Sequence, residues 1–246
     1  WTTIHETLFT DEYLRDLSNF KLGSLNFRIA LWNPDSREYL YRKTLLNQVW
    51  ASLSATNWRA LDNIQNRAFG NPIAVKYQGR EICMDYAQAV LEMEFMERHL
   101  ELEGEDILEI GAGYGRTCHA ILSNIPVRSY TIVDLDQCLN LTRSYLLRVL
   151  DEASFAKIRF VHASEFDQLN STQFKLCLNI DSFAEMDAPI VHYYLRYIEH
   201  QCQYLYVKDP VGKYLAGTDI DSHASTVAVE MAPKTGLLRD IIDRFD

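Results

Sequence analysis

Three of the chain's ten glycines fall within five residues, in the run Asp106-Ile-Leu-Glu109-Ile-Gly111-Ala112-Gly113-Tyr114-Gly115-Arg116. Glycine allows positive φ and lets a bound group approach the backbone, and a helix that starts straight afterwards offers unpaired N–H groups. The run therefore reads as strand, tight turn and helix start, a shape that receives the polar end of a cofactor. Its spacing distinguishes two chemistries. A dinucleotide fold spaces its glycines Gly-x-Gly-x-x-Gly; here they run Gly-x-Gly-x-Gly, with Glu109 two residues ahead of the first. A carboxylate at that place repels a pyrophosphate and attracts a cationic ligand.

Further along, Tyr130-Thr-Ile-Val-Asp134 reads as the next strand and ends in an acid about twenty positions after the turn. A carboxylate can accept from both hydroxyls of a ribose, which suits it to that place. The combination resembles the first two motifs of class I S-adenosylmethionine (SAM)-dependent methyltransferases, whose acidic-x-Gly-x-Gly-x-Gly signature is matched in full. The resemblance implies that Glu109, Gly111, Ala112, Gly113, Tyr114, Gly115 and Leu135 contact the cofactor, that Asp134 meets its ribose, and that S-adenosylhomocysteine is the product. The family's third motif often has Asp after the third strand; this chain has Ser164 and Glu165 there, with Asn179 near the end of the fourth. Two other readings stay open: Asp134 as a helix N-cap, and Asp136 in the ribose role. Tyr114 and Arg116 either cover the cofactor or lie at the surface.

A narrower likeness rests on Gly70-Asn71-Pro72 with the Gly79 turn, LEIGAGYGR at 108–116, and Asn179-Ile-Asp181-Ser182-Phe-Ala-Glu185-Met186. Together these resemble a group of sugar O-methyltransferases over most of residues 1–210, and imply an acceptor hydroxyl on a sugar or a glycosylated small molecule. A methyl sulfonium is already an activated electrophile, so such a protein mainly orients an oxygen nucleophile and removes its proton. Asp181 and Asp209 follow the runs Leu176–Ile180 and Tyr204–Lys208, which a 3-2-1-4-5 strand order places side by side. Three roles are open for them: paired ligands of Mg²⁺, a direct base at Asp181 or Glu185, or caps of their loops. Of the seven histidines, His162 ends the third strand and His223 lies in a polar, glycine-containing stretch, Val211–Ser225, that reads as an acceptor loop; these two are the catalytic candidates.

The elements that must position these groups are legible as periodicity. Short β-rich runs at Ile107–Ile110, Tyr130–Val133, Ile158–Val161, Phe174–Ile180 and Tyr204–Val207 alternate with helical ones at Arg116–Ser123, Gln137–Leu150 and Pro189–His200, with a loop at Ser164–Thr172. This alternation predicts an α/β, Rossmann-like methyltransferase sheet over 105–246 with helices on both faces. Residues 1–104 read differently. All four tryptophans (Trp1, Trp32, Trp50, Trp58) lie there, and Leu45, Leu46, Val49, Leu53 and then Leu61, Ile64, Ala68 recur at helical spacing. A mainly helical region is expected, with a strand and turn at Ile73–Gly79 and a helix capped by Asp85. It would cover the acceptor or form a homodimer surface, with Trp32, Trp50 and Trp58 in its core. Only 38 residues follow Lys208, fewer than a seven-stranded sheet takes. Thr226–Met231 could form one strand and Leu237–Phe245 one helix, so the sheet edge is expected to be incomplete or rearranged; the alternatives are a longer natural chain, or a neighbouring subunit that completes the edge.

Composition removes other classes. The net charge is −10, with 24 basic and 34 acidic residues, and both 1–104 and 105–246 are acidic. Phosphate backbones need a concentrated positive surface, so a nucleic-acid partner is not expected. The five cysteines lack a Cys-x-x-Cys pair and read as reduced thiols. No apolar run nears the ~20 residues of a bilayer crossing; the expectation is a soluble, cytoplasmic protein with a small-molecule acceptor. Two alternatives share these features: a SAM-binding but inactive partner subunit, and an NAD(P)-dependent oxidoreductase, which the glycine spacing disfavours.

Overall fold

The computed structural model of the chain describes residues 14–21, 37–72, 74–77 and 79–209. They fall into two compact units that interleave along the sequence. Of the described residues, those within 1–103, 113–126 and 136–157 form the first, and those within 104–112, 127–135 and 158–209 the second.

The first unit is mostly helical. It contains α1 (Arg37–Ser52), α2 (Ala55–Asn63), α3 (Met84–His99), α4 (Arg116–Asn124), α5 (Asp136–Val149) and the short α6 (Glu152–Phe155), with one hairpin, β1 (Ala74–Tyr77) and β2 (Arg80–Cys83). α2 starts in a capping box: the Ser54 hydroxyl accepts from the Asn57 N–H, and the Asn57 side chain accepts from the Ser54 N–H. The Asn57 amide then donates to Glu94 of α3 at 3.0 Å. The hairpin pairs Tyr77 with Arg80, and Gly79 between them takes φ +78°, the left-handed conformation that a two-residue turn demands. Leu46, Trp50, Leu61, Ile64, Tyr86, Val90, Met93, Ile121 and Leu146 are buried. The expected core role of Trp50 is thus observed, while Trp58 is half-buried against it. Trp1 and Trp32 lie outside the described residues.

One expectation about this unit is corrected. Asp85 does not cap α3; the helix begins at Met84 with Cys83 at the cap position. Asp85 sits in the first turn, where a negative charge still favours the helix N-terminus, and its carboxylate is used elsewhere.

The second unit is built on five parallel strands: β3 (Asp106–Ile110), β4 (Ser129–Asp134), β5 (Ile158–His162), β6 (Phe174–Ile180) and β7 (Cys202–Lys208). Their order across the sheet is β5-β4-β3-β6-β7. In chain order that is 3-2-1-4-5, a Rossmann-like arrangement, with strands separated by helices along the chain. Consecutive residues of β3 from Ile107 to Ile110 are all buried, the pattern of a central parallel strand. Leu108, Ile110, Val133, Val161 and Cys177 form a core with Phe166, Leu169, Phe183 and with Val191, Tyr194, Tyr197 and Ile198 of α7 (Ala188–Gln201). Pro189, in the first turn of α7, suits a position where the missing N–H costs nothing.

The segment read as a loop at Ser164–Thr172 is mostly a 3-10 helix, Ala163–Leu169. Phe166 and Leu169 turn into the core from it, and that apolar pair three apart is what winds the backbone. Among the described residues no helix is long and apolar enough to cross a membrane. The tail calls, Val211–Ser225, Thr226–Met231, Leu237–Phe245 and His223, lie outside the described residues.

Candidate functional site

In an open α/β sheet, ligands gather beyond the carboxyl ends of the strands, where the strand order reverses direction. Here the reversal is at β3, with β4 on one side and β6 on the other. The register sets the residues along that edge. Asp134 pairs with His162, the Gly111 N–H donates to the Val133 carbonyl, and Ile180 pairs with Lys208. The edge therefore reads His162, Asp134, Gly111, Asp181, Asp209 across five neighbouring strands. At ~4.8 Å between strands, Asp134 and Asp181 stand ~10 Å apart on either side of Gly111. The sequence expectation that Asp181 and Asp209 end adjacent strands is met.

Gly111 is fixed by a close approach. It has φ +77°, and a Cβ there would lie 2.0 Å from the Ser182 hydroxyl oxygen and 2.4 Å from the Ser182 Cβ. The turn that β3 enters is thus packed directly on the loop leaving β6. Asn179 binds the same two pieces together: its amide donates to the Ile110 carbonyl and its Oδ1 accepts from the Phe183 N–H, both at 2.9 Å. Asn179 is fully buried. Its role here is to tie β6 and its loop to the end of β3. Glu109 is also buried, and its Oε2 accepts from the Tyr130 hydroxyl at 2.7 Å; it lies in the sheet under the turn, and Ala112 follows Gly111 at the edge.

Asp134 is half-buried, and its Oδ1 accepts from the N–H of Leu135 at 2.8 Å. Asp136, the other ribose candidate, is exposed in the first turn of α5. Leu135 is 48% exposed, a large apolar side chain held at a strand end. Burial and then the Asp134 charge hold the Tyr194 hydroxyl above its ordinary pKa. On the far side, His162 Nδ1 is 2.6 Å from the Ser164 hydroxyl and accepts from the Ser164 N–H, capping the 3-10 helix. Ser164 and Glu165 are exposed.

Asp181 has φ +61°, left-handed backbone in a residue with a Cβ, and its N–H donates to the Lys208 carbonyl at 2.8 Å. Such strain persists where surroundings hold it and is common where a side chain must be aimed. Glu185, in the short 3-10 turn Phe183–Glu185, is exposed. Asp209 Oδ1 accepts from the Ala184 N–H at 3.3 Å, anchoring that turn. Among the described residues no group of three or more His, Cys, Asp or Glu converges as a metal site.

The glycine turn runs on into Gly113, Tyr114 and Gly115, which belong to the first unit. Gly113 (φ +60°) has nothing within 4 Å of where a Cβ would stand, whereas Gly115 (φ +90°) is packed on Thr142 and Leu146. Tyr114 points into the first unit, with its hydroxyl donating to Asp85 Oδ2 at 2.7 Å. Arg116 pairs with buried Glu92 at 2.8 Å. Neither residue lies at the surface in the way the sequence left open.

Next to them is a group that sequence reasoning missed. Lys21 is fully buried, with its ammonium 4.6–5.6 Å from the ring centres of Phe20, Tyr86, Tyr114 and Tyr145. It donates to the Tyr145 hydroxyl at 3.0 Å. Burial brings its pKa down to about 8. The Tyr86 hydroxyl lies 2.6 Å from His119 Nδ1, and burial pushes His119 down to about 3. No sequence motif joins residue 21 to residues 86, 114, 119 and 145.

No family model matches the chain, and no curated protein does. Solved structures share its fold in part. A bacterial Hen1 methyltransferase domain is 14% identical, with TM-score 0.46, over 61% of this chain and 84% of that one. A cyclopropane-fatty-acyl-phospholipid synthase-like protein from Lactobacillus casei is 12% identical, with TM-score 0.44, over 65% and 58%. An O-methyltransferase family protein from Burkholderia thailandensis is 10% identical, with TM-score 0.40, over 55% and 43%. The chain spans less than two thirds of the latter two, and 35% of a Nostoc punctiforme protein. Likeness at this level carries no argument; the strand order and the turn do.

Proposed function

We propose that the chain is a SAM-dependent methyltransferase acting on a hydroxyl of a sugar or glycosylated small molecule. The observation that carries the reading is the turn at the strand-order reversal: glycines at positive φ straight after β3, with Asp134 at the end of β4. A ligand can approach the backbone at Gly113, where a side chain would otherwise stand. Asp134 would accept from the ribose hydroxyls, and exposed Leu135 would lie against the adenine. Bound SAM would supply a methyl group on an already activated sulfonium.

The protein's own task is then orientation and proton removal. Asp181 is the base we assign, because it stands with a left-handed backbone at the end of β6, the strand beside β3 and its glycine turn. Glu185, exposed on the next turn, is the second candidate. His162 serves first as a cap, and His223 is assigned only from the sequence. Residues 1–104 would form the acceptor cover and a homodimer surface.

Calorimetric titration with SAM, S-adenosylhomocysteine and NAD, on the wild type and Asp134→Ala, tests the cofactor. Binding of both adenosyl ligands, lost in Asp134→Ala, is expected; binding of NAD alone overturns the reading. An acceptor screen followed by mass spectrometry then looks for a 14-Da gain on hydroxylated glycosides. SAM binding with no acceptor turned over would favour the inactive-partner alternative.

A further inference from the structure

The second half of the glycine turn, Gly113-Tyr114-Gly115, has two residues without side chains and one with a large ring. Glycine backbone carries the greatest conformational entropy to lose, so such a turn is loose unless something outside it holds it. Tyr114 is the turn's one large side chain. Its hydroxyl donates to Asp85 of α3, and its ring meets Phe20 edge-on at 5.4 Å, Tyr145 edge-on at 5.1 Å and the Lys21 ammonium at 5.0 Å. A second tie is the Thr142 hydroxyl on the Gly113 carbonyl at 2.5 Å.

Phe20 and Lys21 reach Tyr114 from a segment more than ninety positions earlier. The Lys21 N–H donates to the Gly70 carbonyl at 2.9 Å, and Phe20 lies so close to Gly70 that a Cβ there would stand 2.4 Å from its ring. Leu17 and Phe20 are buried with it. The segment is therefore built in, and its ammonium sits among rings that a desolvated cation binds strongly.

We propose that Lys21 and Asp85 are positioning residues for the cofactor: they clamp Tyr114 from two directions and so pre-form the Gly113–Gly115 backbone that would receive SAM. This rests on the methyltransferase reading above. Residues of the amino-terminal region would then set cofactor affinity as well as covering the acceptor. A preorganised turn binds more tightly because ordering is not left to the ligand.

The test measures SAM affinity and thermal midpoint together for wild type, Lys21→Met, Asp85→Ala, Tyr114→Phe and the Asp85→Ala/Tyr114→Phe pair. Lys21→Met keeps the apolar stem and removes the charge, and Asp85→Ala removes the acceptor that an Asn would keep. Lys21→Met and Asp85→Ala are expected to weaken SAM about tenfold or more, and where turnover is measurable to raise KM for SAM with kcat at saturation kept. Tyr114→Phe and the double variant should match Asp85→Ala, because all three break the Tyr114–Asp85 hydrogen bond. Folded variants that bind SAM as the wild type does would overturn the proposal. If Lys21→Met does not fold, the Asp85 and Tyr114 variants decide the outcome. Failure of the wild type to bind SAM would instead remove the methyltransferase reading.

Discussion

Replacing Gly111 by Ala tests the packing of the turn on the loop that follows β6. Two costs add. Left-handed backbone with a Cβ costs ~1–2 kcal/mol, and the new Cβ meets Ser182 at 2.0 and 2.4 Å, an overlap of the kind that costs ~1–3 kcal/mol. Ser182 cannot swing aside cheaply, because the second contact is its own Cβ. The sum is ~2–5 kcal/mol, and at ~2–4 °C per kcal/mol for a chain of this size the midpoint should fall by ~4–20 °C. Gly113→Ala is the control: its φ is +60° and the space beside it is open, so only the backbone cost applies. Urea unfolding followed by far-UV circular dichroism should rank Gly111→Ala below Gly113→Ala by ~1–3 kcal/mol. Adding Ser182→Gly to Gly111→Ala should recover most of that difference and leave the backbone cost. Equal losses at the two glycines, or no recovery with Ser182→Gly, would refute the close packing. Gly113→Ala should meanwhile lower SAM affinity by more than its stability loss accounts for.

Stability should fall in mild acid through His119. Its native pKa is near 3 against 6.5 when unfolded, so below pH 6.5 the unfolded chain takes up a proton the native chain does not, and stability drops as pH falls toward 3. At pH 5 that amounts to ~2 kcal/mol, and His119→Gln should lose about that much less than wild type between pH 7 and 5; parallel losses in the two proteins would exclude His119 as the source. Asn179→Leu removes the partner of the Ile110 carbonyl and of the Phe183 N–H, and at ~1–3 kcal/mol for each buried group should cost ~2–6 kcal/mol in urea unfolding. Glu92→Gln leaves the Arg116 guanidinium buried against a neutral partner and should cost ~3–5 kcal/mol, whereas Glu94→Gln, at a more exposed pair with Arg98, should cost under ~1 kcal/mol. If methyl transfer is observed, its rate should be unchanged by a chelator and strongly reduced in Asp181→Asn; loss of activity on metal removal, restored by Mg²⁺, would reinstate the paired-carboxylate metal reading.

The sheet was legible because its information is local. Each strand is a short apolar run bounded by turn residues, and Phe174–Ile180 matches its observed limits. The others differ by one or two residues at their ends, where pairing with a neighbour, and not propensity, decides the last bond. The 3-10 helix at Ala163–Leu169 escaped notice because its seven residues carry a single buried apolar pair, Phe166 and Leu169, too few to show a period. Asp85 shows a different failure: its residue type suits a cap, but Cys83 ends a hairpin strand and α3 starts straight from it, so Asp85 falls inside the first turn.

The candidate site divides in the same way. Glycine spacing, Glu109 and the acids at 134, 181 and 209 could be read off the chain because strand alternation implies which ends are neighbours. What each side chain touches could not. Asn179 and Glu109 look like ligand-facing residues in sequence, yet Asn179 binds Ile110 and Phe183, and Glu109 binds Tyr130. A buried polar group must find a partner, and which partner is near depends on how distant segments pack.

By itself, then, the sequence determined that a glycine turn leaves a parallel strand with carboxylates at the neighbouring strand ends, because backbone conformation and alternation are set within a few residues. Only the tertiary structure decided that Ser182 closes on Gly111, that Asp181 takes a left-handed backbone, and that Lys21 lies buried among Phe20, Tyr86, Tyr114 and Tyr145. A charge enters an interior only where rings and hydrogen bonds from several segments replace its water, and no single stretch of this chain contains them.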